Sequence, residues 1–146
     1  MSKKSYSSKN FGETKNHLIA EMPERLIHKN VMSGEMAQKF SEERKHPVHI
    51  VDVDSKTISM TIGGLLPRQQ TNRHRHSYET IIYIQKGKGT SLIEDKEVPW
   101  EAGDAIYVPV WAWHSHRNDT DEDCVYIACE NAPLMQNLGA ALREES

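Results

Sequence analysis

Eight histidines are spread through the chain, and four of them fall in two copies of one pattern, His74-Arg75-His76 and His114-Ser115-His116. In an extended strand, residues two apart share a face, so His74 and His76 aim both imidazoles at one point while Arg73 and Arg75 turn away. A third ligand is available from the second pair. Imidazole suits Fe, Zn, Ni and Cu, and three protein ligands with open positions make a catalytic rather than a sealed metal site. One such pair in a strand is commonplace, but two in a β-rich chain of this size favour metal chemistry. His17, His28, His46 and His49 have no comparable spacing and read as structural or solvated.

The segments around these pairs must therefore be strands. After Pro47 the chain breaks into short β-branched runs over 48–53, 57–62, 80–85, 90–94, 104–110 and 123–128. They are separated by Gly63-Gly64, Gly87-Lys88-Gly89, Glu94-Asp95-Lys96 and Ala102-Gly103-Asp104, turn signals at the spacing of an all-β sandwich or barrel. The gaps are too short for crossover helices, which argues against a parallel α/β sheet. The barrel is expected over about 48–131. The run 133–145 opens on a proline at a first helical position and reads as a closing helix, with Gly139 weakening it. Upstream, Ser33 is a candidate N-cap for a short helix whose stripe is Met36, Ala37 and Phe40. Residues 1–22 read as a flexible basic tail, with Lys3, Lys4, Lys9 and Lys15 near its start, leaving 23–146 as a single domain.

Composition narrows the field of activities. A length of 146 residues, 37% hydrophobic content and 27% charged content describe one ordinary globular core. With 21 acidic against 18 basic residues the chain lacks the basic balance of a nucleic-acid binder, so no nucleic-acid partner is expected. Neither a bilayer-spanning apolar stretch nor a secretory signal is visible, and a cytoplasmic protein without membrane contact is the expectation. Cys124 and Cys129 are five apart in one strand, on opposite faces, and are expected to be unbonded core residues.

The stretches 74-HRHSYETIIYIQKGKG-89 and 103-GDAIYVPVWAWHSHRN-118 resemble the two ordered motifs of the cupin superfamily, small double-stranded β-helix barrels that hold a metal inside. The resemblance implies that His74 and His76 are first-motif ligands, that His114 is the second-motif ligand and that Asn118 closes the second motif. It also exposes departures. The glutamate ligand of the general pattern falls at position 80, where this chain has Thr80; Glu79 is one residue off, so it faces outward and leaves three histidines unless a local bulge restores it as a fourth ligand. Arg68 and Trp111 stand where two turn glycines are usual.

Within the superfamily, Pro109 to His116 is most similar to gentisate and salicylate dioxygenases, larger two-cupin proteins with a three-histidine ferrous site. The expectation is an Fe(II)- and O2-dependent oxygenase cleaving a C–C (ring) bond of a small anionic aromatic or hydroxy acid; Mn, Ni, Cu and Zn are the alternative ions. A metal-dependent lyase or isomerase, or a non-catalytic small-ligand-binding module, are the competing readings. His116 shares strand parity with His114 and is assigned a catalytic role as proton shuttle, substrate hydrogen-bond donor or fourth ligand. Trp111 and Trp113 are candidates for the substrate pocket if the turn after Pro109 breaks strand alternation; otherwise they pack. A homodimer is expected through an exposed sheet edge.

Overall fold

The computed structural model describes residues 7–12, 18–32, 41–51 and 53–146. The proposed cap and apolar stripe of the upstream helix, and parts of the basic tail, lie outside these residues; residues 41–44 are helical. The strands are β1 (Val48–Val51), β2 (Ser59–Leu65), β3 (His74–His76), β4 (Thr80–Lys86), β5 (Lys88–Ile93), β6 (Lys96–Glu101), β7 (Ala105–Val108), β8 (His114–Asn118), β9 (Cys124–Glu130) and β10 (Arg143–Glu145), with a helix α1 (Ala132–Asn137) before the last. They form two five-stranded sheets, in the orders β1-β2-β9-β4-β7 and β10-β3-β8-β5-β6. The all-β cupin architecture read from the sequence is the one observed.

Alternation builds the core. In β4, Thr80, Ile82 and Ile84 are buried while Ile81, Tyr83 and Gln85 are exposed, the two-residue period of a strand covered on one face. Ile82 and Ile84 join Leu65, Trp100, Ile106, Val108, Cys124 and Ala128 in one cluster between the sheets. Burial of each large aliphatic side chain contributes about 1.5–3 kcal/mol. Cys124 is buried, Cys129 is exposed, and both are free. Gly87 links β4 to β5 at φ +102°, and a Cβ there would lie 2.4 Å from the Cys124 sulfur. Both the conformation and the close approach call for glycine.

Two elements depart from the sequence reading. Strand β6 lay hidden behind Glu97 and Pro99; it is an edge strand, the place in a sheet where proline is tolerated. The closing helix over 133–145 is corrected: α1 stops at Asn137, Gly139 turns at φ +69°, and Arg143–Glu145 pairs with β3 as a strand. The Ser77 hydroxyl donates to the Ala140 carbonyl and accepts from the Leu142 N–H, both at 2.7 Å, pinning the returning chain. The unpaired edge of β3 offers backbone hydrogen bonds that outweigh local helix propensity. Among the described residues, no helix is long and apolar enough to cross a membrane.

Candidate metal centre

Strand β3 presents His74 and His76 on the cavity face, and β8 is registered against it so that His114 lies directly opposite His74. The ring centroids are 4.2 Å apart for His74 and His114, 4.8 Å for His76 and His114, and 5.7 Å for His74 and His76. One nitrogen from each ring lies within 4.8 Å of the other two. Each ring is held by the same local device. Nδ1 of His74 donates to the Asn72 carbonyl at 2.9 Å, that of His76 to Tyr78 at 2.7 Å and that of His114 to Ala112 at 2.8 Å. With the proton on Nδ1, every Nε2 keeps its lone pair for the interior. Tyr78 further fixes His76 by stacking on it at 4.0 Å and 4°.

Burial also sets the charge state. Removal from water holds His74 down at about 3 and His76 at about 4, the neighbouring His114 adding to the effect, and burial lowers His114 as well. Neutral imidazoles with converging lone pairs are what a divalent cation requires as ligands. The donor set therefore fits such an ion, which His74, His76 and His114 would hold.

His116 is on the cavity wall but outside this group, its ring 5.6 Å from that of His114. Ser91, its cross-strand partner in β5, accepts a hydrogen bond from Trp100 Nε1 at 2.9 Å and shares a second hydrogen bond with His116 Nδ1 at 2.6 Å. With the Ser91 hydroxyl as donor, His116 carries its proton on Nε2, toward the cavity. Burial holds it near 3, so it is a neutral hydrogen-bond donor. Asn118 is fully buried and donates to the carbonyls of Leu65, Leu66 and Glu122 while accepting from Thr120, which ties the end of β8 to its surrounding loops.

Glu79 is exposed and accepts a hydrogen bond from the Tyr107 hydroxyl at 2.6 Å, while Thr80 points inward. Thr80 donates to Glu130, its partner across to β9, at 3.4 Å. A carboxyl thus stands on the cavity wall after all, contributed by another strand, and burial raises its pKa. Sequence reasoning missed Glu130, although strand parity with Cys124 and Ala128 was a signal for it. His46, read as structural or solvated, also lines the cavity, as do Tyr78 and Arg143.

The assignment of Trp111 and Trp113 to the substrate pocket is corrected. Neither lines the cavity, whose volume is about 800 Å³. They sit against the Arg75 guanidinium at 4.4 and 4.5 Å, on the face that β3 turns away from the histidines. Strand parity prevails there, and cation–π attraction holds the stack. Arg68 and Trp111, in place of the usual glycines, adopt φ +59° and +65°, so the turns survive with strained residues in them. The Trp111 N–H donates to the His76 carbonyl at 2.8 Å and locks that turn onto β3.

Two antiparallel sheets enclosing three converging histidines define a cupin-type fold with a candidate metal site. The chain has the cupin fold, and the family model described as the cupin domain matches its residues 62–129. It is 34% identical over 83 residues to a 5-aminosalicylate 1,2-dioxygenase of Comamonas sp, covering 57% of this chain and 22% of that protein. It is 32% identical over 89 residues to a gentisate 1,2-dioxygenase of Streptomyces sp, covering 60% and 25%. Among solved structures, salicylate 1,2-dioxygenase from Pseudaminobacter salicylatoxidans superposes with a TM-score of 0.61 at 28% identity, over 63% of this chain and 27% of that one. The chain thus spans about a quarter of the length of these relatives.

Proposed function

We propose that this cupin is a divalent-metal oxygenase, with Fe(II) held by His74, His76 and His114, that cleaves a C–C bond in a small aromatic hydroxy acid. The observation that carries the reading is the convergence of three carbonyl-anchored, neutral imidazoles on one cavity. Three uncharged ligands leave the ion its full +2 charge, which favours an anionic substrate. Salicylate, 5-aminosalicylate and gentisate, the compounds in the relatives' names, each carry a carboxylate beside a ring hydroxyl, a pair suited to chelation.

Bound Fe(II) supplies the activation of O2 that ring cleavage needs. The protein's own part is positional. The carbonyl anchors fix the three rings, the apolar wall of Ile82, Ile84 and Val108 limits water, and His116 offers an Nε2–H to an oxygen of the substrate. Oxygen uptake by anaerobically iron-loaded protein, measured across hydroxybenzoates and hydroxynaphthoates with product analysis, tests the proposal. Stoichiometric uptake with a ring-opened product supports it. Metal-dependent turnover without uptake would make the chain a lyase or isomerase instead, and ligand binding without turnover a binding module. The homodimer stays with this reading, supported by the open edges of β6 and β7 and testable by sedimentation equilibrium.

A further inference from the structure

The C-terminal strand lies outside the matched cupin segment, yet it delivers two charged residues to the cavity. In the β3–β10 ladder, Arg143 is opposite His76 and Glu145 is opposite His74, whereas Glu144 is opposite Arg75. Directly opposed residues project from the same face of the sheet. Arg143 and Glu145 therefore face inward beside the metal ligands, and Glu144 faces outward, where its carboxylate meets Arg75 at 2.7 Å. Both inward residues line the cavity.

Arg143 has two close partners, Glu145 and Tyr78. Its guanidinium meets Glu145 at 3.0 Å, two residues along the same strand, with both side chains partly open to solvent. It also lies against the Tyr78 hydroxyl, and its charge acts on all three triad rings. Arg44, another arginine on the lining, acts on Glu130, Tyr126, Tyr78 and His46, and Arg143 shares its action on Glu130, Tyr78 and His46. An exposed pair of this kind contributes little to stability, so exchanging Glu145 for another carboxylate costs little. A planar guanidinium presents a fork of donors matched to a carboxylate, which a point-charge lysine does not.

We propose that Arg143 selects carboxylate-bearing ligands for the histidine site, with Glu145 acting as an internal carboxylate that occupies the guanidinium until a ligand displaces it. The proposal rests on the metal reading above and deepens it. The cation of this subsite comes from β10, and the ligand spans from the histidine triad to that strand. Competition by Glu145 lowers affinity for weak anions while leaving the chelating acids able to bind.

Full-length protein loaded with cobalt(II) under argon provides the test, because the visible spectrum reports metal uptake and ligand arrival separately. Salicylate and its neutral amide, salicylamide, are the probes. With cobalt uptake unchanged, Arg143→Gln should weaken salicylate binding by about ten- to a hundredfold, the range of a charge-assisted contact, and leave salicylamide within about twofold. Arg143→Lys should fall between wild type and Arg143→Gln. Glu145→Gln should act in the opposite direction, tightening salicylate by about two- to fivefold, an outcome that a merely structural pair would not produce. Cobalt uptake with unaltered salicylate affinity in Arg143→Gln, with equal losses for both probes, or with no salicylate binding by the wild type, overturns the subsite and leaves the metal reading standing. Failure of the wild type to take up cobalt overturns the metal reading, and this proposal with it.

Discussion

Ser91 is fully buried and joins two otherwise separate polar groups, accepting from Trp100 Nε1 at 2.9 Å and meeting His116 Nδ1 at 2.6 Å. Ser91→Ala removes one oxygen and orphans both neighbours. Each unsatisfied buried group costs about 1–3 kcal/mol, so the loss should be about 2–6 kcal/mol. That is a large fraction of the roughly 5–15 kcal/mol that holds a domain folded. Urea denaturation followed by tryptophan fluorescence reads it directly; with a slope of about 2 kcal/mol per molar, the midpoint should fall by roughly 1–3 M. A cycle with Trp100→Phe separates the two bonds. In the Trp100→Phe background only the His116 bond remains to be lost, so Ser91→Ala should cost about 1 kcal/mol less than in the wild type. A loss under about 0.5 kcal/mol would show that the bridge does not exist, and strict additivity in the cycle would show that Ser91 and Trp100 are not coupled through a hydrogen bond.

Three further outcomes follow from the same structure. The metal-free protein should lose stability as pH falls below about 6.5, because His74 and His116 are held near 3 and His76 near 4 in the folded chain. Their folded pKa values lie below the unfolded ones, so the unfolded chain binds more protons. The loss should be on the order of 1 kcal/mol per histidine between pH 7.5 and 5.5, seen as a falling thermal midpoint, and should level off only near pH 3–4. His114→Ala removes the ligand opposite His74 and should abolish metal retention after dialysis, measured by elemental analysis, whereas Glu79→Gln, on the outer surface, should retain it. Gly87→Ala places a methyl group 2.4 Å from the Cys124 sulfur at φ +102° and should cost about 2–4 kcal/mol in chemical denaturation.

Much of the site could be read along the chain. A strand repeats every two residues, so His74 and His76 had to share a face, Arg73 and Arg75 had to leave it, and Glu79 had to point away once Thr80 pointed in. The same parity separated Cys124 from Cys129. Where the reading failed, local signals had lost to the sheet. Segment 133–145 carried helical composition and a proline start, but its end was claimed by the free edge of β3. Arg68 and Trp111 looked like threats to their turns, yet the hydrogen bonds around them outweighed the strain of a positive φ.

By itself, the sequence determined the all-β architecture, the two histidine pairs and their inward direction, because hydrophobic alternation and i, i+2 geometry are properties of a single strand. Only the tertiary structure decided that Glu130 stands across from Thr80, that the tryptophans stack on Arg75 outside the cavity and that Arg143 enters it. Each of those contacts joins different strands. Register across a ladder, rather than order along the chain, sets which side chains meet.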